Sequence, residues 1–511
     1  MAAGWPRLLM IGLDAAEASL VESWTADGSL PHLKRLLDRG AYGRLASTAD
    51  WLSGSPWPTF YTGTPPGEHG LYHYLSWYPD SMSAARPTPD RLPLTHFWRD
   101  LSARGPRVVA IDVPRAYAPE PFNGVEISGW GTHETPAIAA YPPSLLRWVR
   151  ATFGPRPRTD EVYTRLPLER LLETRDQERR VTEQVLAIAL ALMEREAWDL
   201  FIVCLGATHR GGHKLWDGTG TSGSPEPGAD ERLRAALLGV YTAVDAAVGR
   251  LIEAAGPGTT TLVFSVHGMG PNTSRTDVLA QMLSRVLGRP DGDGAAHPVG
   301  ALDRFRGFLP GTWRHAVKRR LPLSLQDRLT AYWRLKGIDW GKTRAFTLVA
   351  DLQGYIRVNL KGREALGIVA PGAEQEDLCD QIADGLRMFV DADTGQPVVR
   401  SVASIKELYP DGGRRDHLPD LIVQWSATPS ADHREIVSAR HGHVQWPTPG
   451  KNASGRSGNH WPEGFLIATG ERFQPGSRLE GAHILDLVPT VFDLFGLPPP
   501  TAMQGRTLAE K

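Results

Sequence analysis

RLLMIGLD, Arg7 to Asp14, is an apolar run that ends abruptly in an acid. With no polar alternation, it suits a parallel strand covered on both faces, its side-chain chemistry at the carboxyl end where Asp14 stands. The chain outward from it repeats one plan. Leu30 to Asp38 reads as a helix, with Pro31 in its first turn and Gly40 just beyond its end. Arg107 to Val113 is a second buried strand. Val181, Val185, Ile188 and Leu192 form the apolar stripe of a long helix that leads into a strand at Leu200 to Leu205. Leu233, Leu237, Val244, Val248 and Leu251 mark the next helix, Gly256-Pro257-Gly258 stops it, and Thr260 to Val266 is the following strand. Repeated helix-then-strand units predict an α/β fold, a mostly parallel sheet covered by helices, with ligands outside the carboxyl ends of the strands.

Further along, YIRVN, LPDLIVQW and EGFLIAT read as strands and Ile484 to Phe495 as a terminal helix. Between about Ser274 and Gly341 the pattern turns helical and includes the basic run Trp313 to Arg320, read as a solvated helix face. Asp217 to Gly228 and Arg289 to Pro298 are breaks rich in Gly and Pro that could border a site.

At 511 residues with 41% hydrophobic content, the chain can bury one large core or two moderate ones. A formal charge of -1 gives no electrostatic basis for a nucleic-acid or anionic-membrane partner. Phosphate recognition must then be local. The two cysteines, Cys204 and Cys379, sit far apart in apolar patterns, which argues against a disulfide framework and for a reducing compartment. The apolar run before Asp14 is too short for a signal peptide, so a cytoplasmic protein is expected. No stretch is expected to reach the roughly 20 apolar residues of a membrane-spanning helix.

Chemistry enters with Ser47 to Gly70, STADWLSGSPWPTFYTGTPPGEHG, which puts Ser53 just ahead of a segment dense in Gly, Pro and aromatic residues. A serine hydroxyl needs a general base or a metal ion to act as a nucleophile at neutral pH. Ser55 is the rival two residues on. Four strand ends could supply the help: Asp14, His209 and His213 in LGATHRGGH, His267 in VFSVHGMG, and His460 in SGNHWPEG. His69, His441 and His443 are further ligand candidates for which structural or surface roles are expected. Trp51, Trp57, Tyr61, Tyr72, Tyr74, Trp77 and Tyr78 cluster around the serine as core, with one or two available to stack on a planar leaving group.

In this order the motifs resemble the type I phosphodiesterase/nucleotide pyrophosphatase branch of the alkaline phosphatase superfamily. The likeness runs from MIGLDA through the Ser53 segment, DVPRAY, ATHRGGHKLW, SVHGMG, IDWGKTRAF, VNLKGREALGIV, LPDLIVQW and SGNHWPEG to LVPTVFDLFGLPPP and the Gly505-Arg506 pair. It implies a mixed, largely parallel sheet sandwiched between helices, in one catalytic domain over 1–511 with a mainly helical insertion at about 274–341. It also implies one or two divalent metals, commonly zinc, the two lying about 4 Å apart where both are present. Asp14, Ser53 and His267 fall where the family places ligands of the metal that activates the nucleophile, with Ser53 in the nucleophile's register. His213 and His460 fall on the second metal.

Two positions depart from the pattern. Val266 stands where the family has an acid before the His of its SDHG motif, and Val cannot bind a metal. His209 stands where the family has an acid four residues before the second-site His. The first site thus keeps a weak set, Asp14, His267 and the Ser53 oxygen, while His209, His213 and His460 form a three-imidazole set with an open position, a catalytic zinc arrangement. The expected function is metal-dependent hydrolysis of a phosphate ester, with a small-molecule or nucleotide-like substrate and neither nucleic acid nor membrane as partner. Two alternatives stay open, different chemistry on a single zinc and a non-catalytic ligand-binding relative.

Overall fold

Leu8–Leu13 runs through the centre of an eight-stranded sheet, paired in parallel with Leu200–Leu205 on one side and Thr260–Ser265 on the other. In this computed structural model, the residues described are 4–510 apart from 118, 133–137, 158–163, 223–225, 289–324, 326–337, 447–449 and 453. The sheet continues in parallel through Val108–Ile111 and Gly124–Ser128. Ala139–Tyr141 closes that edge in antiparallel sense, and Glu463–Thr469 and Ala41–Ala46 close the opposite edge likewise. The sheet is therefore mixed and largely parallel, as expected.

Alternation along the strands builds a core on each face. Leu9, Ile11 and Leu13 pack with Val203, Leu205 and Val263 beneath the helices Leu168–Arg195 and Ala229–Ala255. Leu8 and Met10 face the other way, against Trp57, Phe60, Phe97 and the terminal helix Leu487–Leu494. Because both faces are covered, the strands carry no polar face, which explains the unbroken apolar runs.

One expectation needs correction. The helix Ala229–Ala255 is long and apolar enough, by length and composition, to cross a membrane. Its apolar side is instead spent on the core through Leu233, Leu237, Val240, Val244, Val248 and Leu251. Asp245 on the same helix accepts the backbone N–H groups of His32 (3.1 Å) and Leu33 (2.7 Å), capping the helix Pro31–Arg39, whose own N-cap residue Leu30 has no side chain able to do so.

A second, antiparallel sheet comprises Ala345–Thr347, Gly354–Val358, Leu421–Trp425 and Val399–Ser404, in that order, packed on the helices Thr276–Val286 and Ala373–Arg387. Its other face, through Tyr355 and Ile422, meets Leu52, Tyr72, Leu75 and Trp77, so the segment that carries Ser53 is wedged between the two sheets. Within 274–341 the described residues include the helix Thr276–Val286. The Arg289–Pro298 break and the basic run Trp313–Arg320 lie outside the described residues.

Candidate metal centre and nucleophile pocket

Asp14 leaves the central strand at its carboxyl end, and the next residue, Ala15, has φ of 53°. A non-glycine residue with positive φ is costly, and such positions collect at functional sites. The Asp14 carboxylate is aimed by Trp57, whose indole N–H donates to Oδ1 at 2.7 Å. The Thr208 hydroxyl donates to the Asp14 backbone carbonyl at 2.6 Å, tying this strand end to its neighbour.

His209 and His213 lie one turn apart on the helix Ala207–Leu215, which forms despite Gly211 and Gly212. Close packing is what the glycines permit: a Cβ at Gly212 would lie 2.6 Å from Met269 Cγ. The buried Arg210 between the histidines donates to Glu178 at 2.6–2.9 Å and to the Gly131 carbonyl at 2.8 Å, clamping the helix to Leu168–Arg195. His460 arrives on a two-stranded ribbon, Gly268–Pro271 with Gly458–Trp461, in register opposite Met269. His213 Nδ1 donates to the Gly458 carbonyl at 2.8 Å, which turns its Nε2 lone pair inward. There His209 Nε2 lies 2.8 Å from His460 Nε2 and 3.1 Å from His213 Nε2. Three imidazole nitrogens thus lie within 4.8 Å of one another, a donor set that fits a divalent cation.

Asp14 joins this group to His267. Its Oδ2 is 3.9 Å from His209 Nδ1 and its Oδ1 is 3.6 Å from His267 Nε2. His267 Nδ1 donates to the Gly268 carbonyl at 3.2 Å, so its Nε2 also faces the site with a lone pair. Burial pushes the His267 imidazole down to about 4, and burial together with the nearby His267 and His213 takes His460 well below its ordinary value. Both rings are therefore neutral near pH 7, the form that ligates. Ser53 lines the same small pocket as Asp14, His209, His267 and His460, and its buried Oγ has the Tyr355 hydroxyl beside it. The Ser55 hydroxyl is engaged, 2.7 Å from both the Leu52 carbonyl and Thr48 Oγ1. Val266 is wholly buried among apolar side chains and does not line the pocket.

A family model described as type I phosphodiesterase / nucleotide pyrophosphatase matches residues 8–427. The chain belongs to that family. As a family member it is a phosphoric-ester hydrolase of the phosphodiesterase/pyrophosphatase kind, and the family is metal-dependent. The match takes in Asp14, Ser53, His209, His213 and His267 and ends before His460. Among solved structures, a phosphonoacetate hydrolase from Sinorhizobium meliloti 1021, in complex with phosphonoacetate, is 14% identical with a TM-score of 0.52 and 96% of each chain covered. A human ectonucleotide pyrophosphatase/phosphodiesterase 5 is 12% identical with a TM-score of 0.47, covering 98% of this chain and 97% of that one. A 2,3-bisphosphoglycerate-independent phosphoglycerate mutase from Clostridioides difficile (strain 630) is 30% identical over 79 residues, 15% of each chain.

Sequence reasoning missed four groups around this phosphodiesterase-family site. Arg115 lines the pocket and donates to the Gly54 carbonyl, held there by a loop in which Asp112 and Arg115 have φ of 57° and 61°. Asp351 comes from the loop between Ala345–Thr347 and Gly354–Val358, with Oδ2 3.2 Å from His73 Nε2 and Oδ1 3.4 Å from Arg456 Nη1. Burial alone would raise its pKa, but His73 and Arg456 outweigh that and hold the carboxyl well below the usual range. Gln353 Oε1 accepts the Ser53 N–H at 3.2 Å, and Trp57 sets Asp14. The one legible signal was DVPRAY, a motif carrying Arg115. Of the extra histidines, His69 bridges the Leu71 N–H and the Thr59 hydroxyl at 3.0 Å each, His441 stacks near Phe389, and His443 pairs with Glu435.

Proposed function

We propose that this hydrolase cleaves phosphodiesters through a phosphorylated Ser53. The observation that carries the reading is the Ser53 hydroxyl itself, buried in a pocket that also presents Asp14, Arg115, His209, His267 and His460.

His209, His213 and His460 would hold a zinc ion, and Asp14, His267 and the Ser53 oxygen would form a second, weaker set. Bound there, zinc lowers the pKa of a ligated hydroxyl or water and neutralises charge on phosphoryl oxygens. The residues do the rest. Trp57 and Gln353 fix Asp14 and Ser53 before substrate arrives, so little reorganisation remains. Ser53 Oγ forms the new bond to phosphorus while the ester P–O bond breaks and its electron pair leaves on the alcohol oxygen. The hydroxyl proton is taken up in the pocket, where the Asp14 carboxylate and neutral His267 Nε2 are the bases. That proton passes to the leaving alcohol oxygen. Water then attacks the Ser53 phosphodiester and gives a proton to the same base, which returns it to Ser53 Oγ as that oxygen leaves. Each diester thus yields one monoester and one alcohol. Arg115 places a permanent positive charge beside the serine, where negative charge grows on the transferring group.

Replacing Ser53 by Ala should lower turnover of bis-p-nitrophenyl phosphate by several orders of magnitude while circular dichroism and Tm stay near wild type. Turnover equal to wild type would transfer the role to a water molecule and end the phosphoserine reading.

A further inference from the structure

The pocket around Ser53 is narrow, about 20 Å³, and opens at its mouth, so the organic part of an ester extends out of it. A second cavity of about 160 Å³ shares His460 with the first, and cavities near this size in other proteins hold a benzene-sized ligand. Its apolar wall is Ala49, Leu352, Trp425, Ala427, Trp461 and Pro462.

The polar groups of the lining are largely committed to the protein. Gln353 donates to the Ala49 and Asp50 carbonyls at 2.7 and 3.1 Å and accepts from Ser53 N. Gln424 donates to the Asp50 carbonyl at 2.7 Å and accepts the Ser401 hydroxyl at 2.5 Å. The Trp425 indole N–H donates to the Leu352 carbonyl at 2.8 Å, and Arg400, on the rim, pairs with Asp50 at 3.0 Å. A sugar or other hydroxyl-rich group would find few partners. A planar or apolar group meets Trp461, whose ring is half-buried and packs onto the bare backbone of Gly270, where any Cβ would collide with it. Trp461 also follows His460 on the same strand, so the platform and the proposed zinc ligand are positioned by one element.

Resting on the phosphodiesterase reading above, we propose that this cavity is the subsite for one aryl or similarly flat apolar substituent of the substrate phosphate, recognised by stacking on Trp461. Gln353 then forms the partition, since its amide touches the backbone of Ser53 on one side and lines the cavity on the other.

Calorimetry of the zinc-loaded protein with phenylphosphonate and methylphosphonate separates the phosphoryl site from the subsite. Wild type should bind phenylphosphonate at least about tenfold more tightly, the scale of burying and stacking one ring. Trp461→Ala should abolish that preference, read as the ratio of the two Kd values in protein whose zinc content matches wild type, and Trp461→Phe should keep most of it. Equal affinity of wild type for the two compounds, or a phenyl preference that survives Trp461→Ala, overturns the subsite and leaves the phosphodiesterase reading standing. Failure of wild type to bind either compound, together with no turnover of bis-p-nitrophenyl phosphate, overturns both.

Discussion

Asp14 illustrates how much of the chemistry rests on single atoms. Its carboxylate stands between two imidazoles, and the Trp57 indole N–H at 2.7 Å is what fixes its direction. Trp57→Phe removes that donor together with the outer ring of the indole, which packs on Gly12. The buried acceptor would then lose a charge-assisted bond, costing about 1.5–3 kcal/mol. Turnover of bis-p-nitrophenyl phosphate should fall about tenfold or more through loss of alignment, with the fold intact by circular dichroism. Wild-type turnover in this variant would show that Asp14 needs no orienting bond. From the sequence, Trp57 could be read only as one of seven clustered aromatics, because an indole's hydrogen-bond partner 43 residues away leaves no local pattern.

At the scale of elements, the strands of the central sheet were legible because burial on both faces writes itself as unbroken apolar runs, and the long helices because their stripes repeat at helical spacing. The helix Ala207–Leu215 was harder: two adjacent glycines argue against it, and only the packing of Met269 and the Arg210–Glu178 clamp explain why it holds. Asp351 and Gln353 were not legible at all, and Arg115 only as part of the DVPRAY motif. They sit on loops without periodicity, and the approach of the second sheet to the Ser53 segment is a tertiary fact. Gly212→Ala sets two effects against each other. Helix propensity alone favours Ala by about 1 kcal/mol. The new methyl, however, meets Met269 Cγ at 2.6 Å, and Met269 is the cross-strand partner of His460. Overpacking of this kind costs about 1–3 kcal/mol. The expected outcome is a lower Tm and a weaker zinc Kd together. A higher Tm with unchanged zinc affinity would mean that the helix and ribbon have room to separate.

Across the whole molecule, the proposed zinc ligands tie distant parts of the chain to one point. His209 and His460 are 251 residues apart, one on a helix packed beneath the central sheet and the other on a ribbon beside the second. An ion held by both stabilises only the folded chain, because the unfolded one cannot bring these imidazoles together. With free zinc at about a hundred times its Kd, the gain is about 2.7 kcal/mol, a shift of a few degrees in Tm. Charge strengthens the case for one tight ion. Three neutral imidazoles supply the donors, and the Asp14 carboxylate, 3.9 Å from His209, balances part of the 2+ charge. The other set lacks an acid where Val266 lies buried among apolar side chains, so its affinity should be far lower. Elemental analysis after dialysis should therefore find close to one zinc per chain, and adding zinc to chelator-treated protein should raise Tm. His213→Ala should abolish both the bound zinc and the Tm shift. His267→Ala should keep both while losing turnover of bis-p-nitrophenyl phosphate. Two zinc ions of equal affinity, or a Tm shift that survives His213→Ala, would show that the carboxylate missing at Val266 is supplied by another group, and Asp351, on the pocket wall beside His460, is the residue to test next.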